Sequence, residues 1–211
     1  MFTNSKESDI WEKSNIQVFW GEIAPCDHVV QIYENDKVFI DSLEGFVGSG
    51  ILAGDSIIII ATTEHLNLLE DRLRKQGFDI SQLTEIDRYI PLEANEVLSK
   101  FMVNKWPDET LFTEFIANLI KRAQKNNRKV RAFGEMVAIL WEKGFNGATV
   151  QLESFWNQLH KKDGFTLFCA YPRIGFTQDA NESIEAICSS HHKVIDGGAK
   201  PSTEIYYKST A

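Results

Sequence analysis

Two stretches of this 211-residue chain put carboxylates where chemistry could take place. "RAFGEMVAILWEKG" (131–144) sets Glu135 where an extended segment turns into a helix, and "QLESFWNQL" (151–159) sets Glu153 beside Phe155 and Trp156. A carboxylate at a strand–helix junction can act as a base, hold a ligand, or simply complement the helix macrodipole. Arg131 sharpens the choice. A guanidinium in a strand buried on both faces requires a carboxylate partner, and Glu135 or Glu153 is the expected one. A structural ion pair is therefore the first reading of both glutamates, ahead of ligand contact and of catalysis.

The histidines are spread along the chain. His28 opens the first predicted strand, His65 begins the helix after the second, and His191 and His192 fall late in the last predicted helix. Lacking close ligand spacing, they give no expectation of a metal site. His65 is the histidine expected at the carboxyl end of a central strand, where α/β sheets bind ligands. His28 belongs at the opposite end of its strand. Tyr33 and Glu34 close the first strand, where a phosphate loop would stand in a nucleotide-binding relative. Leu152, Phe155, Trp156 and Leu159 form a core-facing helical stripe, in which Trp156 could still wall a pocket.

The usual catalytic signatures are missing from the sequence. It contains no GxxxxGK[ST] loop, no GxGxxG after the first strand, no GxSxG elbow and no HExxH pair. "GFVGSGILAGD" is glycine-rich, but it lies late in a helix, lacks the lysine and precedes a strand, so it presents the wrong helix end to a phosphate. No enzyme and no cofactor is expected.

These residues need a scaffold. "HVVQIY" (28–33) and "SIIIIAT" (56–62) read as strands, the second without polar alternation, as in a parallel sheet covered on both sides. Helices are expected after each, the first ending at Gly50 or Gly54, the second running 63–77 with a Thr62 or Thr63 cap. A strand within 85–94, helices at about 94–103 and 107–127, and a strand at 128–134 follow. Next come two helices through 164, a strand at 165–172, a last helix at 179–195, and a tail with room for one edge strand. Such alternation implies right-handed βαβ units in a three-layer, mostly parallel α/β domain.

Composition bounds the partners. A net charge of −8 argues against a direct grip on nucleic acid or an anionic membrane, and 43% hydrophobic residues suffice for a real core. No apolar run reaches membrane-spanning length. The three cysteines, Cys26, Cys169 and Cys188, form no CxxC pair. A reducing cytoplasm is the expected home.

Taken together, "HVVQIYENDKVFIDSLEGFVGSGILAGDSIIIIATTEH", "RAFGEMVAILWEKGFNGATVQLESFWNQL" and "FTLFCAYP", with a later histidine at His191 or His192, resemble the MEDS domain, the methanogen/methylotroph sensory domain. The resemblance implies a RecA/KaiC-like core without a phosphate loop, in a sensory domain proposed to recognise small hydrocarbon derivatives. The motif positions are His28, Tyr33, Phe133, Glu135, Trp141, Glu153 and Trp156; with His65 they make up the expected ligand-binding set. The expected layout is a polar lead-in (1–16), a sensory domain (17–195) and a tail (196–211). With no kinase or helix-turn-helix region on either side, the output is expected to pass to a separate histidine kinase or transcription regulator. The alternatives are an adaptor in two-component signalling that binds no ligand, and a degenerate nucleotide-binding protein. A pocket bordering Tyr33, His65 and Phe133 is expected, with Glu135, Glu153 and Trp156 sharing one wall.

Overall fold

A computed structural model describes residues 20, 23–24, 26–175, 187, 191, 193–197 and 204–207. One seven-stranded sheet organises them, in the order β3-β2-β6-β7-β1-β8-β9. The strands are β1 (His28–Tyr33), β2 (Ser56–Ala61), β3 (Tyr89–Glu93), β6 (Val130–Gly134), β7 (Thr166–Pro172), β8 (Lys193–Gly197) and β9 (Glu204–Tyr207). Every pairing from β3 to β8 is parallel, and β9 closes the edge antiparallel to β8. A two-stranded ribbon, β4 (Met102–Val103) with β5 (Trp106–Pro107), stands apart.

Helices cover both faces. On one lie α1 (Asp36–Ala53), α2 (Thr63–Lys75) and α3 (Ile80–Glu85), packed on Val29, Ile57, Ile59, Phe133 and Phe168. The other carries α4 (Ala94–Phe101), α5 (Glu109–Ala123), α6 (Met136–Glu142) and α7 (Asn146–Asp163), packed on Val30, Ile58, Ala132, Leu167 and Cys169. Alternate residues of each strand thus feed different cores, as the pleat requires. β2, β6 and β7 are buried along their whole length, which explains the unbroken apolar run of "SIIIIA".

Helix ends follow local chemistry. Asn35, Thr62, Asp79 and Asp108 each accept a hydrogen bond from a first-turn amide, and Gly54 ends α1 at φ +84°. The expected α/β architecture is present, with local corrections. The short helix α3 fills most of the stretch between the helix expected to end at 77 and the strand expected within 85–94, where no element was expected. Pro107 sits in the β5 ribbon, and Asp108 rather than proline opens α5. Lys193–Gly197 pairs as β8, so the helix expected through 195 does not reach that far; its earlier part lies largely outside the described residues.

Arg131 is buried on β6, as expected, but its partner is neither Glu135 nor Glu153. Its Nε donates to Asp55 at 2.8 Å, while Nη1 reaches the Trp20 and Phe46 carbonyls and Ser49 Oγ. The reason is register. Ile57 lies opposite Arg131, bringing the residues that enter β2 alongside it. Glu135 lies four residues further along an extended chain, about 13 Å away. Arg131 also shares the α1 face with Phe133, away from α7 and Glu153.

Candidate functional site

The carboxyl ends of β1, β2 and β6 bring together part of the expected set. β1 ends at Tyr33, whose ring stacks on Phe39 of α1 with centroids 4.9 Å apart. Phe39 in turn meets His65 edge-on at 5.0 Å and Phe133 at 5.6 Å. Glu135 follows β6, held by its own amide donating to the Ile60 carbonyl at 2.8 Å. Its carboxylate spans two partners. Oε2 accepts from the Thr62 amide at 2.8 Å, and Oε1 lies 2.7 Å from His65 Nδ1.

Electrostatics follows from this layout. Burial works to lower the His65 pKa, but the hydrogen bond and charge of Glu135 outweigh it and hold the imidazole above its ordinary value. The Tyr33 hydroxyl is raised, first by burial and then by the charges of Glu135, Asp36 and Glu142. Glu142 is itself raised, by burial and then by Glu135 and Asp36. The strand ends therefore carry an acidic rim around one oriented, partly exposed histidine backed by aromatic rings. A carboxylate-tied imidazole fits general-base work or ligand recognition equally.

The remaining expected residues lie elsewhere. Glu153 and Trp156 project from α7 into the other core, with Trp141 and His28. Glu153 Oε1 accepts a short hydrogen bond from the Tyr171 hydroxyl, and Oε2 faces His191 Nε2 at 3.7 Å. Burial pushes the Glu153 carboxyl up to about 7, against the lowering effect of Tyr171. Trp156 covers Gly134, where an added Cβ would meet its ring at 3.3 Å, and Trp141 meets Tyr171 at 6.4 Å. Glu135 and Glu153 thus belong to different layers, and the expected shared wall does not exist. Strand parity and the opposite coverings of the sheet separate two residues that neighbouring elements carry.

An opening of about 520 Å³ lies at the amino ends of the strands, lined by Ile23, Asp55, Arg128, Arg131 and Thr166 among others. It does not border Tyr33, His65 or Phe133, and Phe133 is wholly buried. Phe39, Cys169 and Tyr171 also belong to these two clusters, with no motif in the sequence to mark them. The alternation of "TLFCAYP" puts Leu167, Cys169 and Tyr171 on one face, but nothing in that string names the strand beside it.

Two solved structures from Pyrococcus horikoshii OT3 share this architecture. The KaiC-like protein PH0186 superposes with a TM-score of 0.59 at 13% identity, over 87% of this chain and 79% of that one. The protein PH0250 gives 0.57 at 10% identity, over 90% of each chain. At such identities the likeness concerns the fold alone. No curated protein sequence matches the chain significantly. The sequence pattern of MEDS, the methanogen/methylotroph, DcmR sensory domain, matches residues 27–192. That stretch includes β1 through β7 and both clusters just described, and the chain belongs to the MEDS family of sensory domains.

Proposed function

We propose that this chain is a sensory module that takes up a small, mostly apolar molecule at the carboxyl ends of β1, β2 and β6. It would pass the signal by contact to a separate protein, a histidine kinase or a transcription regulator. One observation carries the reading: His65, oriented by Glu135, stands partly exposed against the Phe39 and Tyr33 rings. An apolar surface with one fixed polar group is the common design of small-molecule sites. Phe133 and Phe39 are both fully buried and back the site from within, so the accessible group is His65, beside the nearly buried Tyr33 and Glu135.

The two-residue connection Glu34–Asn35 supports sensing over nucleotide binding. Asn35 already caps the Val38 amide, and Asp36 adds negative charge where phosphates would sit. Family membership supports a signalling role; the ligand and the partner are the proposal.

The test is imidazole NMR of the full chain during titration with short alcohols, methylamines and halomethanes. A binder should move the His65 resonances saturably, and His65→Ala should weaken its binding about ten-fold. Saturable binding that leaves the His65 resonances still would place the site elsewhere. No binding across the series would favour a ligand-free adaptor.

A further inference from the structure

Beneath α7, and apart from the strand-end crevice, four buried side chains converge: His28, Glu153, Cys169 and His191. One ligand-capable atom from each lies within 4.8 Å of all the others. They come from four places in the chain: the start of β1, the middle of α7, the middle of β7, and the segment just before β8. Val30 pairs with Cys169, so His28, two residues earlier on the same face, sits diagonally from the thiol; its Nε2 is 3.7 Å from Cys169 Sγ. The His28 and His191 rings approach with centroids 3.9 Å apart.

We propose that His28, Glu153, Cys169 and His191 form a binding site for a thiophilic divalent transition-metal ion, with Zn²⁺ the best chemical match.

Three features support this assignment. The first is orientation from outside. His191 Nδ1 lies 2.6 Å from the Ile187 carbonyl, and donation there leaves the Nε2 lone pair toward the cluster. Tyr171 engages Glu153 Oε1, leaving Oε2 facing inward without a hydrogen bond. Metal sites hold their ligands in this way, with one atom of each side chain fixed by an outer partner.

The second is spacing. Zinc bonds of about 2.0–2.3 Å keep neighbouring donors roughly 3.3–3.8 Å apart in a tetrahedron. The 3.7 Å separations of His28 from Cys169 and of Glu153 from His191 fall in that range. The widest pairs need to close by only about 1 Å.

The third is charge. Two neutral imidazoles, a thiolate and a carboxylate carry two negative charges, which a divalent cation cancels. A neutral assembly is what a buried location tolerates. Binding expels the Cys169 thiol proton, together with any proton on Glu153, to solvent. Nitrogen and sulfur donors select against Mg²⁺ and Ca²⁺, which prefer all-oxygen shells.

The experiment uses the full chain, dialysed against a chelator and titrated with Co²⁺. Saturation at one equivalent is expected, with a near-ultraviolet thiolate-to-metal band and the strong visible bands of a tetrahedral site, all displaced by Zn²⁺. The Cys26→Ser, Cys188→Ser double variant should keep these bands. Cys169→Ser should lose the thiolate band and weaken Zn²⁺ binding at least ten-fold. Absence of the thiolate band in the wild-type chain overturns the assignment, as does its survival in Cys169→Ser. Should Cys169→Ser fail to fold, the double variant decides, because its only thiol is Cys169 and loss of the band there is equally fatal. The visible spectrum reads this site alone and is independent of small-molecule binding at His65.

Discussion

His65 Nδ1 and Glu135 Oε1 lie 2.7 Å apart, joining the first turn of α2 to the end of β6. The other Glu135 oxygen accepts the Thr62 amide, so one carboxylate fixes both the imidazole and the loop before its helix. This pair ties together two of the strand ends proposed to form the sensing surface.

The pair should be visible in a pH titration. His65 is raised above its ordinary value in the folded chain, so its contribution to stability is complete below the unfolded pKa, about 6.5. That contribution is lost as pH rises through the higher folded value. Glu135→Gln keeps an acceptor for Thr62 but removes the charge. It should lower the His65 pKa and cost about 1–2 kcal/mol at pH 6. NMR titration of the imidazole in both proteins checks the sign; a wild-type pKa at or below the ordinary value contradicts the pairing.

Arg131 should be far more sensitive than any surface arginine. Replacing it with Met removes the bond to Asp55 and three further hydrogen bonds, to the Trp20 and Phe46 carbonyls and Ser49 Oγ. Unfolding in urea should show a loss of about 3 kcal/mol, in line with breaking a buried pair. A change below about 0.5 kcal/mol, the size of an exposed substitution, would mean that the arginine is solvated.

Gly50 makes room for that arginine. A Cβ there would come 2.6 Å from Ile57 Cδ1 and 2.8 Å from Arg131 Cδ. Gly50→Ala should therefore destabilise by about 1–3 kcal/mol through overpacking, despite the better helix propensity of alanine. In the Arg131→Met background the penalty should shrink, because a flexible unbranched side chain can yield. Equal penalties in the two backgrounds would show that α1 and Arg131 do not compete for this space.

Mg-ATP should not bind. β1 passes to α1 through Glu34 and Asn35 alone, with no glycine-rich turn to cradle a phosphate, and Lys37 in the first turn of α1 lies 3.8 Å from Asp41. Calorimetry should show no saturable heat; a micromolar dissociation constant would restore the nucleotide-binding alternative despite the missing loop.

Much of this protein is determined by local sequence. The apolar run 56–61, the periodic leucines of α2 and the caps at Thr62 and Gly54 dictate their elements by burial period and backbone preference. The absence of a glycine-rich turn after Tyr33 is equally local. So is the requirement that Arg131 be paired, which follows from placing a cation in a covered strand. Which carboxylate answers that requirement is not local: the β2–β6 register brings Asp55 to it and leaves Glu135 to His65. Glu153 is separated from Glu135 by the sheet itself, because successive side chains of a strand enter different cores. His28, Glu153, Cys169 and His191 carry no spacing signature, since two strands, a helix and a connecting segment supply one donor each. They meet because β7, β1 and β8 are neighbours in the sheet and α7 crosses over them, an order set by how the covering helices pack and by no single stretch of the chain.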